Sequence, residues 1–490
     1  MISFKKFLKS SVVYTVLAFL PLASRVILLP IFLLYLSPSD YGMIGLNSTL
    51  ASAFPIFMTL GLDTAFSRYY FDYKRSSKLL NAYVSTIFIS ILIISSILII
   101  LVIPFGNNLQ ELLFKDHNFS FFPFGITALL YAMITSLNGI LFTLYRNRQD
   151  VKSYAFFSIG LFLVMMASDI ISIVILHYIP AQIVWFKIFF VLGFSFFIWL
   201  KLFSGIKIKF EKRFITNSLS YSIPLIPYMF FGFIYTSYDR VMIENKLTLG
   251  SVAIYGLAAS IAFIIESIMT AIQSATFPQV YEMMKITNKE NEVQVNQILR
   301  MLGIFSIGMI ALICFVMPFG VFNFLKPVYL PAISILPLLL IGFCFRYMYM
   351  VYSAPLFYYK KTRLLPWLNI VAGLITIVGN LILLPLYGLY GSAVTMIAAR
   401  GIQIILAFYW SKKTPFNVNL SYLNPGLLLI MISLFATCML GKDHINSHWY
   451  VYLVNAIPLL VFISICGYRF WTKRENILKL KTLASLRELL

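Results

Sequence analysis

Five charged residues lie inside long apolar stretches of this 490-residue sequence. Three are arginines, Arg25, Arg346 and Arg400, and two are acids, Asp169 and Glu266. An ionised group at the centre of a membrane costs at least about 2.5 to 3.5 kcal/mol, so such residues usually face a bundle interior or a wet cavity. Guanidinium groups stay charged and bind phosphate oxygens in bidentate fashion. The three arginines would therefore suit a polyanionic head group such as a diphosphate, as a substrate-binding cationic cavity.

The same five residues allow two other interpretations. Arg25 could pair with Asp169 or Glu266 and lock helices together, or the two acids could carry a coupling proton or cation. A sixth charge, Lys187, lies near the end of its apolar stretch, where a lysine can extend its amine to the membrane surface. The sequence leaves binding, pairing and ion coupling open for the deep charges.

Two more pairs of charges lie at the edges of apolar stretches. Asp63 and Arg68 occur in LGLDTAFSRYYF, and Asp239 and Arg240 occur in YTSYDRVMI. Each pair could form part of a gate. Each could equally cap a helix or anchor it at the membrane interface.

The elements that position these residues are predicted to be membrane-spanning helices. The chain is 60% hydrophobic and only 11% charged, with a mean hydropathy of +0.89, which is outside the range of soluble domains. A spanning helix needs about 20 mostly apolar residues. About fourteen such spans are predicted, at residues 11–36, 42–62, 79–104, 121–143, 154–177, 183–201, 218–237, 250–274, 301–319, 331–355, 365–386, 388–410, 423–441 and 449–470.

The distribution of lysine and arginine predicts the orientation of these spans. With a cytoplasmic N-terminus, the inner segments carry 29 of the 38 Lys and Arg residues and the outer segments carry five, when Lys201 and Arg469 at the inner ends of their spans are counted as inner. Cytoplasmic loops of membrane proteins are enriched in this way. The bias predicts a multi-pass membrane protein with both termini cytoplasmic. It also explains the net charge of +21 without a nucleic-acid partner.

A weak internal repeat predicts the arrangement of the spans. A shift of 211 residues aligns residues 36–46 with residues 247–257, including Gly45 and Leu46 with Gly256 and Leu257. The predicted fold class is an all-α integral membrane protein with two six-helix bundles and a C-terminal helix pair. Its segments are an N-terminal lobe at 1–210, a C-terminal lobe at 211–413, helices 13 and 14 at 414–471, and a cytoplasmic tail at 472–490. The tail is predicted to be an amphipathic surface helix or, alternatively, an exposed charged segment.

No feature of the sequence predicts a cofactor, a metal site or a catalytic residue. The four cysteines fall in apolar stretches, where they are typical of small buried hydrophobic residues. No glycine-rich phosphate loop of the nucleotide-hydrolysing kind is present.

Two passages resemble the bacterial polysaccharide-biosynthesis flippases, the O-antigen repeat-unit transporters of the multidrug/oligosaccharidyl-lipid/polysaccharide exporter superfamily. The first is YLSPSDYGMIGLNSTLASAFPIFMTLGLDTAFSRYYFD, from Tyr35 to Asp72. The second begins at Ser222 with SIPLIP and continues through YDRVMIENKLTLGSVAIYGL. The second passage departs from the family pattern at Ala253, where the family usually has glycine.

The resemblance implies a function for the whole chain. It implies a secondary transporter, not an enzyme, that moves an undecaprenyl-diphosphate-linked oligosaccharide from the cytoplasmic to the outer leaflet by alternating access coupled to an ion gradient. The expected partners are this lipid-linked oligosaccharide, membrane lipid, a proton or sodium ion, and other polysaccharide-assembly membrane proteins. The resemblance also implies a cationic cavity between the two lobes, onto which Arg25 maps.

Two other functional classes remain open at this stage. A multidrug/cation antiporter of the same superfamily is expected to hold membrane acids for an organic cation, whereas this chain has more deep arginines than deep acids. A membrane glycosyltransferase or polysaccharide polymerase would need catalytic carboxylates or a sizeable outer loop. The outer loops here are short and carry only scattered acids, including Glu244.

Overall fold

The computed structural model describes residues 17, 20–116, 119–285, 289–324, 326–359, 361, 364–416, 418, 424–442 and 449–466. About 90% of the structure is helical, and the described residues contain no strand. This confirms the predicted all-α fold class. The predicted tail at 472–490 lies outside the described residues.

The helices of the first half run back and forth with short connections. In chain order they are α1 (Leu20–Tyr35), α2 (Pro38–Ala53), α3 (Pro55–Thr59), α4 (Leu62–Tyr73), α5 (Ser77–Val102), α6 (Gly106–Leu113), α7 (Ile126–Arg148), α8 (Val151–Ile170) and α9 (Pro180–Ser204).

The helices of the second half are longer on average. They are α10 (Lys212–Ser222), α11 (Ile226–Ser237), α12 (Asp239–Lys246), α13 (Leu249–Met283), α14 (Lys289–Phe324), α15 (Pro331–Tyr358), α16 (Leu365–Tyr387), α17 (Leu389–Ser411), α18 (Asn424–Lys442) and α19 (Trp449–Cys466). Helices α13 and α14 extend well beyond the predicted spans 250–274 and 301–319. Much of the predicted loop between them is therefore helical.

The described residues contain fewer helices that qualify as membrane spans than the sequence predicts. Among the described residues, eleven helices or helical runs are long and apolar enough to cross a membrane, and the bent pair Pro38–Thr59 and Leu62–Tyr73 makes twelve. The other two predicted spans fall on α1, described over 16 residues, and on α18, whose apolar part covers Leu428–Leu440. The count of fourteen stays a prediction.

The first passage of the family resemblance forms two local structures. Ser37 and Asp40 make a capping box at the start of α2, where Ser37 Oγ accepts from the Asp40 amide at 3.1 Å and Asp40 accepts from the Ser37 amide at 3.3 Å. Leu60 and Gly61 both adopt positive φ, at 49° and 74°, which ends α3 and bends the span by 49° before α4. The serine–aspartate spacing and the glycine of this passage therefore have backbone roles.

The second passage contains a break caused by proline. A 3₁₀ turn at Ile223–Leu225 separates α10 from α11. Proline lacks an amide donor and its ring clashes with the preceding turn, which explains the interruption. In the first half, Pro30 lies within α1, which is continuous over its described length.

Buried hydrophobic side chains form two main clusters. One cluster is drawn only from residues between Leu62 and Phe214. The larger cluster consists mainly of residues from Val241 to Val451, together with a few from the first half, such as Leu46 and Phe114. Helix α2 packs against α13 and thereby joins the first half of the chain to the second. The division into lobes at residue 210 stays a prediction.

A buried polar network holds α7 and α9 together. Asn138 donates to Ser195 Oγ at 2.8 Å and accepts from Trp199 Nε1 at 2.9 Å. All three side chains are buried, and an unpaired donor is costly in an apolar environment. The network therefore fixes the relative rotation of the two helices.

We expect Asn138→Ala to lower the free energy of unfolding by about 1 to 2 kcal/mol, because it leaves the Trp199 indole donor unpaired in an apolar environment. Ser136→Ala on the same helix is the matched control, since the Ser136 hydroxyl is buried without a hydrogen-bond partner in the structure. Thermal unfolding of the purified variants in detergent micelles measures both effects. Equal destabilisation by the two substitutions would contradict the assigned role of the network.

Candidate functional site

Glu266 receives hydrogen bonds from two arginines of neighbouring helices. Glu266 lies on α13, Arg346 on α15 and Arg400 on α17. Arg346 Nε donates to Glu266 Oε1 at 3.0 Å, and Arg400 Nη2 donates to Glu266 Oε2 at 3.3 Å. With a rise of about 1.5 Å per residue, the three residues lie roughly 16 to 26 Å from the first residues of their helices. The ion pairs are therefore deep in the bundle.

Aromatic rings and a close backbone contact position the two guanidinium groups. The Arg400 guanidinium lies 4.2 Å from the centre of the Phe343 ring and donates through Nη1 to the Gly342 carbonyl at 3.4 Å. The Arg346 guanidinium lies 5.4 Å from the centre of the Tyr349 ring. Because rings attract cations through their faces, these contacts help to hold both guanidinium groups in position.

The charges at this site do not cancel. Two guanidinium groups face one carboxylate, so the group carries a net charge of +1 when all three are ionised. Arg400 is only 6% exposed, and its Nε is buried without a hydrogen-bond partner in the structure. We call Glu266, Arg346 and Arg400 the deep arginine site. It has an excess of positive charge and unused donor capacity, which together suit an anionic ligand.

The alternative in which Arg25 pairs with Asp169 or Glu266 can be compared with the structure only for the two acids. Glu266 pairs with Arg346 and Arg400, which are two of the three arginines assigned to the cationic cavity. Arg25 is part of α1, but its side chain lies outside the described residues. The sequence did not predict that one acid would bridge two of the predicted binding arginines.

Asp169 pairs with Lys187 and is separate from the deep arginine site. Lys187 Nζ donates to Asp169 Oδ2 at 2.7 Å, and the two side chains are 23% and 4% exposed. The sequence treated Lys187 as a lysine that extends to the membrane surface and did not name this partner. A signal was present, because α8 and α9 are antiparallel and joined by a short turn, which places residues 169 and 187 at the same height.

The predicted edge residues form local contacts at helix ends. Arg68 pairs with Asp72 at 3.1 Å across one turn of α4, on an exposed face. Asp63 lies in the first turn of α4 and Asp239 in the first turn of α12, where it accepts from the Arg240 amide at 2.9 Å. The positions of Asp63 and Asp239 fit the helix-end interpretation, whereas Arg68 lies in the middle of α4. A gate role for the four residues stays a prediction.

The starts of α2 and α13 meet at the end of the bundle that the charge distribution predicts to be outside. A Cβ atom on Gly42 would lie 2.2 Å from the carbonyl oxygen of Leu249, so only glycine allows this approach. Nearby, Lys326 Nζ donates to the Leu36 carbonyl at 3.1 Å. We call this contact between the start of α2 and the start of α13, together with the bonds of Glu244 described next, the outer seam.

A buried carboxylate completes the outer seam. Glu244 on α12 is 1% exposed and accepts from the amides of Lys115, at 3.0 and 3.1 Å, and of Asp116, at 2.7 Å. Burial raises the pKa of Glu244, and the backbone donors partly offset this rise. The sequence named Glu244 only as a scattered outer acid. Its bonds join α12 to the loop that follows α6, which lies in the predicted N-terminal lobe.

Comparison with known proteins identifies the family. The family described as polysaccharide biosynthesis protein matches residues 35–334. A protein named for the Lsg locus of Haemophilus influenzae is 25% identical over 383 residues, which are 76% of this chain and 89% of that protein.

Solved structures share the fold. The lipid II flippase MurJ in an inward closed conformation has a TM-score of 0.68 and 17% sequence identity, over 93% of this chain and 99% of that one. An inward-facing multidrug resistance transporter of the MATE family, of the MOP superfamily, has a TM-score of 0.61 and 16% identity, over 81% and 94% of the two chains. This chain is therefore a multi-pass membrane protein that belongs to the polysaccharide biosynthesis protein family and folds like the MurJ flippase and the MATE transporters.

Proposed function

We propose that this protein is a flippase for a polyprenyl-diphosphate-linked oligosaccharide, the repeat unit of an O-antigen or of a capsular or extracellular polysaccharide. The proposed movement is from the cytoplasmic to the outer leaflet of the bacterial inner membrane. The family match and the likeness to a lipid II flippase support this proposal. The observation that carries it is the deep arginine site, with two guanidinium groups and a net positive charge inside the bundle.

The chemistry of the cargo fits this site. A diphosphate that links a lipid to a sugar carries two negative charges and several acceptor oxygens. Planar guanidinium groups bind such oxygens in pairs. The electrostatic attraction between guanidinium and phosphate is stronger in a medium of low dielectric constant. Arg346 and Arg400 are the residues that we propose to bind the diphosphate, with Arg25 as a third candidate from α1.

The same site disfavours a multidrug/cation antiporter. An organic cation needs an acid that is free to receive it, whereas Glu266 is engaged by two arginines and Asp169 by Lys187. A glycosyltransferase or polymerase is disfavoured because Glu244, a buried acid of the predicted outer face, is engaged with backbone amides.

The outer seam supports alternating access as the transport cycle. The predicted lobes meet at the outer end through Gly42, Leu249 and Glu244. In the proposed cycle, this seam is closed while the diphosphate enters from the cytoplasmic leaflet, and it opens for release to the outer leaflet. An ion gradient, of protons or sodium, would supply the direction, with Glu266 or Asp169 as the coupling acid.

A deletion in the native host tests the proposed function. We expect the deletion to reduce surface polysaccharide and to trap lipid-linked repeat units in the cytoplasmic leaflet, both restored by the wild-type gene. Surface glycan is measured by gel and immunoblot, and leaflet location by access of an impermeant glycosidase. Unchanged polysaccharide together with new sensitivity to cationic drugs would instead favour the antiporter.

A further inference from the structure

Three tyrosines lie beside the deep arginine site. The centre of the Tyr349 ring is 5.4 Å from the Arg346 guanidinium. Tyr235 interacts electrostatically with all three charged residues of the site. Tyr228 in turn interacts with both Tyr235 and Tyr349. We call Tyr228, Tyr235 and Tyr349 the tyrosine group, and its members are neighbours of one another and of the ion pairs.

The spacing of these residues explains how they come together. Tyr228 and Tyr235 both belong to α11 and lie two helical turns apart. Tyr349 follows Arg346 on α15 by about one turn. Residues separated by three, four or seven positions share one face of a helix. Helix α11 therefore presents two tyrosines to the same side, and α15 presents the third together with its arginine.

The hydroxyl groups of the tyrosine group are free to bind a ligand. All three residues are only partly buried, and in the described part of the chain their hydroxyls make no hydrogen bond. The side chains of Arg346 and Glu266 are likewise 23% and 15% exposed, so an accessible space reaches the ion pair. A polar group inside a membrane protein is costly when it lacks a partner. The tyrosine group therefore offers unused donors and acceptors directly beside a cationic site.

Packing against the second half of the chain holds α11 in place. Asn369 Nδ2 donates to the Tyr228 carbonyl at 3.4 Å, and Gln403 Nε2 donates to Asn369 Oδ1 at 3.2 Å. A Cβ atom on Gly373 would lie 2.7 Å from the Phe231 ring, so this glycine allows α11 to approach α16 closely. Groups that bind a ligand are positioned best on rigid elements. These contacts position the tyrosines of α11 relative to the arginines of α15 and α17.

The chemistry of the tyrosine group matches a sugar ring. A sugar ring has an apolar face of C–H groups and a rim of hydroxyl groups. The negative face of an aromatic ring attracts the C–H groups, and a phenol hydroxyl both donates and accepts hydrogen bonds. An organic cation would be repelled by the two arginines, and a prenyl chain has no use for hydroxyl groups. In the proposed cargo, a sugar is attached directly to the diphosphate, which places it beside the arginines.

We propose that the tyrosine group binds the first sugar ring of the cargo, the ring that is attached to the diphosphate, and thereby contributes to the choice of cargo. Tyr228 and Tyr235 contact the ring from α11, and Tyr349 contacts it from α15, next to the phosphate groups held by Arg346 and Arg400. The proposal rests on the proposed function and deepens it, because it names the part of the cargo that this region selects.

A comparison of ligands with and without a sugar tests this proposal on the purified full-length protein. The sugar probes are short-chain prenyl diphosphates of glucose, galactose, N-acetylglucosamine and N-acetylgalactosamine. The reference probe carries a methyl group in place of the sugar and has the same charge. We expect wild type to bind at least one sugar probe about tenfold more tightly than the methyl probe, because stacking and hydrogen bonding add to the affinity. Calorimetry measures each dissociation constant.

Variants of Tyr235 should remove this preference. Tyr235→Ala should bring the affinities for the best sugar probe and the methyl probe within about twofold of each other, since it removes both the ring and the hydroxyl. Tyr235→Phe keeps the packing and loses only the hydroxyl, so it should fold even where alanine does not, and it should keep a preference of about threefold. Tyr131→Ala is the matched control, because Tyr131 is a partly buried tyrosine of α7 whose hydroxyl contacts Met165 of α8. It should keep the tenfold preference.

The possible outcomes separate this inference from the proposed function. Equal binding of the sugar and methyl probes by wild type would overturn the inference alone, and so would a full preference in both Tyr235 variants. Equal weakening of both kinds of probe by Tyr235→Ala would also overturn it, since the residue would then serve only the arginines. Failure of wild type to bind any of the probes would overturn the proposed function as well.

Discussion

Replacement of Arg400 by alanine is expected to reduce surface glycan by about 30- to 150-fold. The loss of a charge-assisted hydrogen bond to a diphosphate costs about 2 to 3 kcal/mol, and a factor of ten corresponds to about 1.4 kcal/mol. The side chain is buried and lies over the Phe343 ring, so a water molecule cannot readily replace it. Arg346→Ala should have a similar effect. Complementation of a deletion strain, with protein abundance measured in the same membranes, gives the result.

Two controls separate loss of binding from loss of a membrane charge. Lys209→Ala removes an exposed lysine that pairs with nearby Glu211 in the described structure, and it should change little. The double change Asp169→Asn with Lys187→Ala removes a whole buried ion pair outside the deep arginine site. It should leave more surface glycan than Arg400→Ala. Equal losses from the double change and from Arg400→Ala would remove the argument for a cationic binding site.

The second large effect is expected at Gly42. A methyl group there would lie 2.2 Å from the Leu249 carbonyl oxygen, and backbone cannot rotate away as a side chain can. Gly42→Ala should therefore push the start of α2 away from α13 and open the outer seam, at a cost of about 1 to 3 kcal/mol for overpacking. Because alternating access requires this seam to close, transport should fall sharply even though alanine favours helix formation.

Gly45 supplies the matched control for this prediction. It lies on the same helix, and a Cβ atom there would have no neighbour within 4 Å. Gly45→Ala should keep full transport and gain slightly in helix stability. Opening of the seam is measured by reaction of an introduced cysteine at Phe114, a buried residue of this region, with an impermeant maleimide. Equal labelling in the two glycine variants would show that the close approach is not needed for closure.

In the proposed transport cycle, the deep arginine site binds the cargo and the outer seam closes one end of the bundle. In that cycle, the seam is proposed to keep the predicted outer end closed through backbone contact and a buried carboxylate, neither of which involves the cargo. The site lies on α13, α15 and α17, and α13 also forms one side of the seam. A movement of α13 would therefore change both the seam and the position of Glu266. This shared helix gives a physical route for coupling between cargo binding and opening.

Several properties of this protein follow from the sequence alone. Membrane insertion depends on the length of apolar runs, and orientation depends on the position of lysine and arginine, so both are local and additive quantities. The all-α fold class was predicted from the apolar runs and the family from the resemblance of two passages, and both are confirmed. The capping box at Ser37 and the left-handed Gly61 were not predicted, although each depends on neighbouring residues only.

The tertiary structure decided which charged side chains form ion pairs. Successive residues of a helix point about 100° apart, so the partner of a membrane charge depends on the rotation and packing of each helix. The sequence identified Arg346, Arg400, Asp169 and Glu266 as the residues of interest. Only packing joined Glu266 to both arginines and Asp169 to Lys187. The sequence therefore determined that this chain spans the membrane and carries buried charges, whereas the rotation of its helices decided that one acid holds two arginines at a positively charged site.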